Sequence, residues 1–153
     1  MIFGRTHKAI KRILVVEDEP IVAFDNEHFL TVAGYEVAAT VDSYDHARNP
    51  ILQGNIDLVV ADVNLAGQRK GERDGISVAR LAQEHGIAVL FVTGACPVDA
   101  QHLAHGCLAK PYAQRDLLGA IEVIDAVLRG AKLPKMPHGL SLFKRALGDD
   151  AAA

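Results

Sequence analysis

Four short apolar runs in this chain each stop on residues that can handle charge. Ile13-Leu-Val-Val16 runs into Glu17-Asp18-Glu19, and Leu58-Val-Val-Ala-Asp62-Val-Asn64 ends its apolar stretch on a carboxylate. Ile87-Ala-Val-Leu-Phe-Val92 stops on Thr93-Gly94, and Cys107-Leu-Ala109 on Lys110-Pro111. One acid at the end of one run commonly does no more than cap the next turn. The set carries more. Acids brought together repel unless a cation neutralises them, and an all-oxygen, partly hydrated donor set suits Mg²⁺. A lysine beside them supplies a positive charge for an anion, and a hydroxyl supplies a hydrogen bond. Carboxylate nucleophile, Mg²⁺, lysine and hydroxyl are the parts of a phosphoryl-transfer site, where positioning and charge neutralisation do most of the catalysis.

That chemistry requires elements that bring the four ends together. Apolar runs bounded by polar loops read as strands buried on both faces of a parallel sheet, whose carboxyl edge is where ligands bind in open α/β folds. A further strand is expected over Tyr35 to Val41, where β-branched residues alternate. Between the strands, Pro20 suits the first turn of a helix, with Ile21, Phe24, Phe29, Leu30 and Ala33 at near-helical spacing and Gly34 as its stop. Ser43 is placed to cap a helix over Tyr44 to Gln53, which Pro50 is expected to shorten or kink. Asp74 or Gly75 begins another, with Ile76, Val78, Ala79, Leu81 and Ala82 inward and Gly86 at its end. Pro97 to His105 is a weak helical candidate. Ala113 to Arg129 is amphipathic, with Leu117, Leu118, Ile121, Ile124, Val127 and Leu128 on its apolar face. Five strands alternating with about five helices give an α/β, three-layer, doubly wound fold.

The composition sets outer bounds. A chain of 153 residues is one domain's worth, able to bury a core without staples. A formal net charge of −3 gives no reason to expect nucleic acid or an anionic membrane as partner. No apolar stretch approaches the roughly 20 residues of a membrane span, and the basic segment Met1 to Lys11 lacks the features of a secretory signal. Cys96 and Cys107 have no CxxC spacing and read as two isolated thiols, small and buried, in a reducing cytoplasm.

The ordered set Val-Glu17-Asp18, Ala-Asp62-Val-Asn64, Val-Thr93-Gly94 and Ala-Lys110-Pro111 resembles the receiver domain of two-component response regulators, the chemotaxis-regulator-like fold, over roughly Lys11 to Arg129. The resemblance implies a flavodoxin-like, five-stranded parallel sheet of order 2-1-3-4-5. It implies that Asp62 accepts a phosphoryl group from a sensor histidine kinase or histidine phosphotransfer protein. Asp18, with Glu17 acting through water, would hold Mg²⁺ together with Asp62 and the backbone carbonyl of Asn64. Thr93 and Lys110 would bond the phosphoryl oxygens, and the Lys110-Pro111 bond is expected to be cis. Phe91-Val-Thr-Gly-Ala-Cys96 resembles the Phe-Ala-Thr-Gly-x-Tyr motif of a subgroup of single-domain receivers, with Cys96 in the tyrosine's place. Cys107 stands where many receivers carry an aromatic switch residue, and Leu65-Ala66 where many have Met-Pro. Switching and interaction are therefore expected around Thr93, Gly94, Cys107 and Pro111.

Residues 1–10 read as an extension, 11–130 as the domain and 131–153 as a tail. Within the tail, Lys132 to Pro137 is a linker, and Leu140, Leu142, Phe143 and Leu147 suit a short helix. Arg69, Lys70 and Arg73 form a solvated basic loop or contact a partner. His102 and His105 lack a third ligand nearby and read as packed or solvated. The expected function is a stand-alone, cytoplasmic phosphoacceptor signalling through a downstream protein partner, with no nucleic acid or membrane involved and a homodimer compatible with it. Its only catalysis would be its own phosphorylation and dephosphorylation. Two alternatives use the same residues: a phosphorylation-independent adaptor on the same fold, and a Mg²⁺-dependent phosphohydrolase. The latter would be expected to carry a second acid where Asn64 stands.

Overall fold

The computed structural model describes residues 8–65 and 74–143. A six-stranded sheet of order β2-β1-β3-β4-β5-β6 forms its centre. The strands are β1 (Arg12–Val16), β2 (Glu36–Val41), β3 (Leu58–Asp62), β4 (Ala88–Thr93), β5 (Gly106–Ala109) and β6 (Leu140–Leu142). The first five are mutually parallel and β6 runs antiparallel to β5. Helices α1 (Pro20–Val32), α2 (Tyr44–Gln53), α3 (Gly75–Glu84) and α4 (Gln114–Arg129) connect or follow the strands. The architecture is a flavodoxin-like α/β fold.

The period of two along each buried strand divides the core. Leu14, Val16, Val59, Ala61, Val89 and Phe91 face one way, packed with Ala47 and Ile51 of α2 and with Val78, Ala79 and Ala82 of α3. Ile13, Val15, Leu58, Val60, Leu90 and Val92 face the other, packed with Leu30 of α1 and with Leu117, Ala120, Ile121 and Ile124 of α4. Asp125 is wholly buried on α4, where its carboxylate accepts the Ile10 N–H (2.8 Å) and the Arg129 Nε–H (2.6 Å). That pair fastens the segment leading into β1 onto α4.

Several expectations are corrected here. The β4–β5 connection carries a single 3₁₀ turn, Gln101–Leu103, so the described residues form four α-helices rather than about five. Helix α2 runs on past Pro50 to Gln53. On α1 the buried residues are Ala23, Asn26 and Leu30, whereas Ile21 and Phe24 are 77% and 68% exposed. Leu128 is likewise exposed at the end of α4.

The tail is not helical over its described part. Pro137 lies against Gly119 of α4, and Gly139 turns the chain at φ +85° so that β6 pairs with β5. The Ala109 N–H donates to the Gly139 carbonyl (3.0 Å) and the Phe143 N–H to that of His105 (3.0 Å). The reason is elementary: without β6, one side of β5 would present unpaired backbone groups. Phe143 then drops into the core on the α3 side. Gly106 is matched to this arrangement, since a Cβ there would come 2.8 Å from the Ser141 carbonyl oxygen. Leu147 and the basic residues Arg69, Lys70 and Arg73 lie outside the described residues.

Cys96 and Cys107, expected as separate thiols, are joined in a disulfide with their Cα atoms 6.1 Å apart. Sequence spacing gave no hint of it, because 11 residues separate them and folding alone brings them face to face.

Candidate functional site

The carboxyl ends of β1, β3, β4 and β5 meet at one edge of the sheet, and the expected residues meet with them. The parallel register sets Asp62 beside Val92 and Thr93 beside Ala109, so each polar residue follows directly on a buried apolar neighbour. Glu17, Asp62 and Thr93 are all buried, at 4%, 7% and 1% exposure.

Lys110 joins the acids. Its Nζ donates to Glu17 Oε1 and to Asp62 Oδ2, both at 3.1 Å. The second oxygen of each acid is also held. Glu17 Oε2 accepts the Glu19 N–H (3.1 Å), and Asp62 Oδ1 accepts the Asn64 N–H (3.0 Å). One ligand oxygen from each of Glu17, Asp18 and Asp62 lies within 4.8 Å of the others. Such a set of hard oxygen donors, still net negative after Lys110, fits a small divalent cation such as Mg²⁺.

Burial is the largest influence on Glu17 and pushes its carboxyl pKa up, with the Asp62 charge adding to the rise and the Glu19 N–H and Lys110 opposing it. For Lys110, burial acts to lower the pKa, but the hydrogen bonds and charges of Asp62 and Glu17 together outweigh it and the net shift is upward. The two directions agree on a lysine that stays charged between carboxylates short of countercharge.

Thr93 ends β4, the strand between those that carry Asp62 and Lys110. Its Oγ1 accepts the Ala95 N–H (3.3 Å) and lies 3.5 Å from Asn64 Nδ2, while its carbonyl accepts the Lys110 N–H (2.8 Å). The Lys110-Pro111 bond is cis, as the resemblance to receiver domains implied. Gly94 is exposed and opens the loop that carries Cys96. His102 and His105 take no part in an acidic or metal-ligating cluster among the described residues.

Four residues, Asn26, Tyr112, Asp74 and Gly75, support the site without having been read from the sequence as part of it. Asn26, buried on α1, donates from Nδ2 to the Tyr112 hydroxyl (2.8 Å) and so ties α1 to the segment after Pro111. Burial, the dominant cause, raises the Tyr112 pKa. Gly75 lets α3 start directly beneath Asp62, and Asp74 caps that helix by accepting the Ser77 N–H (3.0 Å). Of these, only the Asp74-Gly75 step was visible beforehand, and only as a helix start.

A parallel sheet of this order, with acids, hydroxyl and lysine at its carboxyl edge, defines a class, and residues 13–122 match the response regulator receiver domain. The chain belongs to that family, whose members are signalling domains of two-component systems. Regulatory protein VirG of Agrobacterium fabrum is 28% identical over 121 residues, covering 74% of this chain and 46% of that protein. Transcriptional regulatory protein PdtaR of Mycobacterium tuberculosis is 30% identical over 121 residues, covering 74% and 56%. The chain thus spans about half the length of these curated relatives. Among solved structures, a response regulator receiver protein from Sinorhizobium medicae superposes with a TM-score of 0.61 at 29% identity, covering 73% of this chain and 91% of that one. A LuxR-family response regulator from Aurantimonas gives 0.65 at 26% identity, covering 80% and 88%.

Proposed function

We propose that this chain accepts a phosphoryl group on Asp62 from a histidine kinase or histidine phosphotransfer protein, with Mg²⁺ bound at Glu17, Asp18 and Asp62, and signals by protein–protein interaction. The observation that carries the reading is Lys110 Nζ at 3.1 Å from both Glu17 and Asp62, with Asp18 completing the acid cluster. The Asp62 carboxylate is the nucleophile in this reading. Mg²⁺, when bound, would shield charge on the incoming phosphoryl oxygens, with the Asn64 carbonyl as a further ligand. Lys110 pairs with one phosphoryl oxygen and the Thr93 hydroxyl donates to another. Hydrolysis of the acyl phosphate is then the only further chemistry.

A protein donor suits the surroundings. Helix α1 starts at the rim of the site, and its outer side bears Ile21, Phe24 and Val32, each more than two-thirds exposed. Apolar side chains held out of the core in this way favour a protein partner. The finer likeness to the Phe-Ala-Thr-Gly-x-Tyr subgroup belongs to this proposal, as do the cytoplasmic setting and the division into residues 1–10, 11–130 and 131–153. The adaptor and phosphohydrolase readings are not favoured. An adaptor has no need of an intact acid–lysine cluster, and the hydrolase pattern wants an acid where Asn64 stands.

Acetyl phosphate tests the reading directly. Incubated with it and Mg²⁺, the chain gains one phosphoryl group by intact mass, and the gain disappears with Asp62→Asn or with a chelator. A gain that persists in Asp62→Asn would remove Asp62 from the role.

A further inference from the structure

The disulfide occupies a position with consequences for the site. Cys96 lies three residues after Thr93 and Cys107 three before Lys110. Cys107 is fully buried in β5, paired with Phe91 of β4 on one side and Ser141 of β6 on the other. Cys96 is only half-buried, in the loop with the exposed Gly94, Ala95 and Val98. Their Cα separation of 6.1 Å needs no rearrangement of the sheet for the bond to form.

We propose that Cys96 and Cys107 are a reversible thiol–disulfide site that clamps the Thr93 loop when oxidised and frees it when reduced. The co-reactant is a dithiol. One of its thiolates attacks Sγ of Cys96, the less buried of the two cysteines; the S–S bond breaks, and Cys107 Sγ leaves with the electron pair and takes up a proton. The second thiol of the reagent then displaces Cys96 from the mixed disulfide. Two electrons pass to the protein, two cysteine thiols result, and the dithiol departs as a disulfide. Exchange with an external disulfide runs the same steps in reverse.

The clamp acts on the loop rather than on the sheet. Cys107 is anchored by neighbours on both sides, whereas the loop meets the site through the Ala95 N–H on Thr93 Oγ1 at 3.3 Å. Opening the bond therefore releases Gly94 to Asp99, up to the core residue Ala100, while β5 stays in place. Only the regulatory consequence rests on the phosphoacceptor reading, in which Thr93 must close on the phosphoryl group; the thiol–disulfide chemistry stands apart from it.

The experiment uses the full chain, one sample treated with oxidised glutathione and one with dithiothreitol. After denaturation in N-ethylmaleimide, intact mass should show no adduct on the oxidised chain and two on the reduced one, matching its two cysteines. Amides of residues 94–99 should exchange about tenfold faster in the reduced chain, with β1 and β3 unchanged. The double variant Cys96→Ser/Cys107→Ser, which has no thiol left to alkylate, should exchange like the reduced chain under both treatments. Two adducts on the glutathione-treated chain, or equal exchange in residues 94–99, would overturn the proposal. The same two samples are then labelled with acetyl phosphate and Mg²⁺. Phosphoryl half-lives differing by about twofold or more support the coupling to Thr93, and equal half-lives refute that coupling. Labelling of neither sample alongside a clear exchange difference would sink the phosphoacceptor reading and leave the redox site standing.

Discussion

Gly75→Ala adds a single methyl group where the fold has no space for one. A Cβ on Gly75 would come 2.7 Å from both the Asp62 carbonyl carbon and the Val63 Cα, and closer still to the Asp62 carbonyl oxygen. Carbon atoms rest at about 3.5–4 Å, so the backbones must part by roughly 1 Å. Neither can recoil easily. Asp62 ends a strand paired on both sides, and the Gly75 N–H donates to the Val63 carbonyl at 3.0 Å. Overpacking of this kind costs about 1–3 kcal/mol, and backbone on backbone belongs at the upper end. The strained hydrogen bond adds about 1 kcal/mol, which alanine's better helix propensity offsets by a similar amount. We expect a net loss of about 3 kcal/mol, or a fall in Tm of roughly 6–12 °C. Urea unfolding followed by circular dichroism measures it. Gly94→Ala is the control, because a Cβ there meets nothing within 4 Å, and it should stay within about 0.5 kcal/mol of the parent. Equal costs at the two glycines, or a neutral Gly75→Ala, would refute the close approach beneath Asp62.

Two further outcomes follow from one buried and one half-buried group. Asp125→Ala leaves the Ile10 N–H and the Arg129 guanidinium without their acceptor and should cost about 2–4 kcal/mol in the same unfolding assay, with faster exchange at the Ile10 amide; Asp125→Asn, which can still accept from Ile10, should cost less. Burial, aided by the charges of Glu122 and Asp125, pushes Tyr35 up to about 12, so the folded state holds that proton more tightly than the unfolded chain. Its contribution is complete below the ordinary tyrosine value of about 10 and is lost as the pH rises through about 12. Phenolate absorbance should show Tyr35 titrating late, and a Tyr35→Phe variant should lose less stability across that window than the parent.

The convergence of Glu17, Asp62, Thr93 and Lys110 was readable in the sequence because a buried strand that stops on a charged or polar residue leaves a sharp boundary, and four such boundaries share one edge. The tail was not readable. Leu140, Leu142 and Phe143 fit a short helix as well as a strand, and what decides between them is the unpaired side of β5, which no local pattern shows. Helix α1 misled in a related way. Ile21 and Phe24 carry the helical spacing, yet the inward side is made by Ala23, Asn26 and Leu30, since the sheet and α4 set which side of the helix is covered. The link between Cys96 and Cys107 was hidden for the same reason, being a product of the β4–β5 pairing.

The double hold on Asp62 has an entropic meaning. With Oδ1 on the Asn64 N–H and Oδ2 on Lys110, the carboxylate cannot spin about its own bond without giving up a partner. The freedom a side chain loses on burial, worth up to about 2 kcal/mol for the most flexible types, has been surrendered during folding rather than at the moment of reaction. In the proposed phosphoacceptor reading, a donor reaching Asp62 would meet a carboxylate already aimed, so less of the activation barrier would be spent on orienting it.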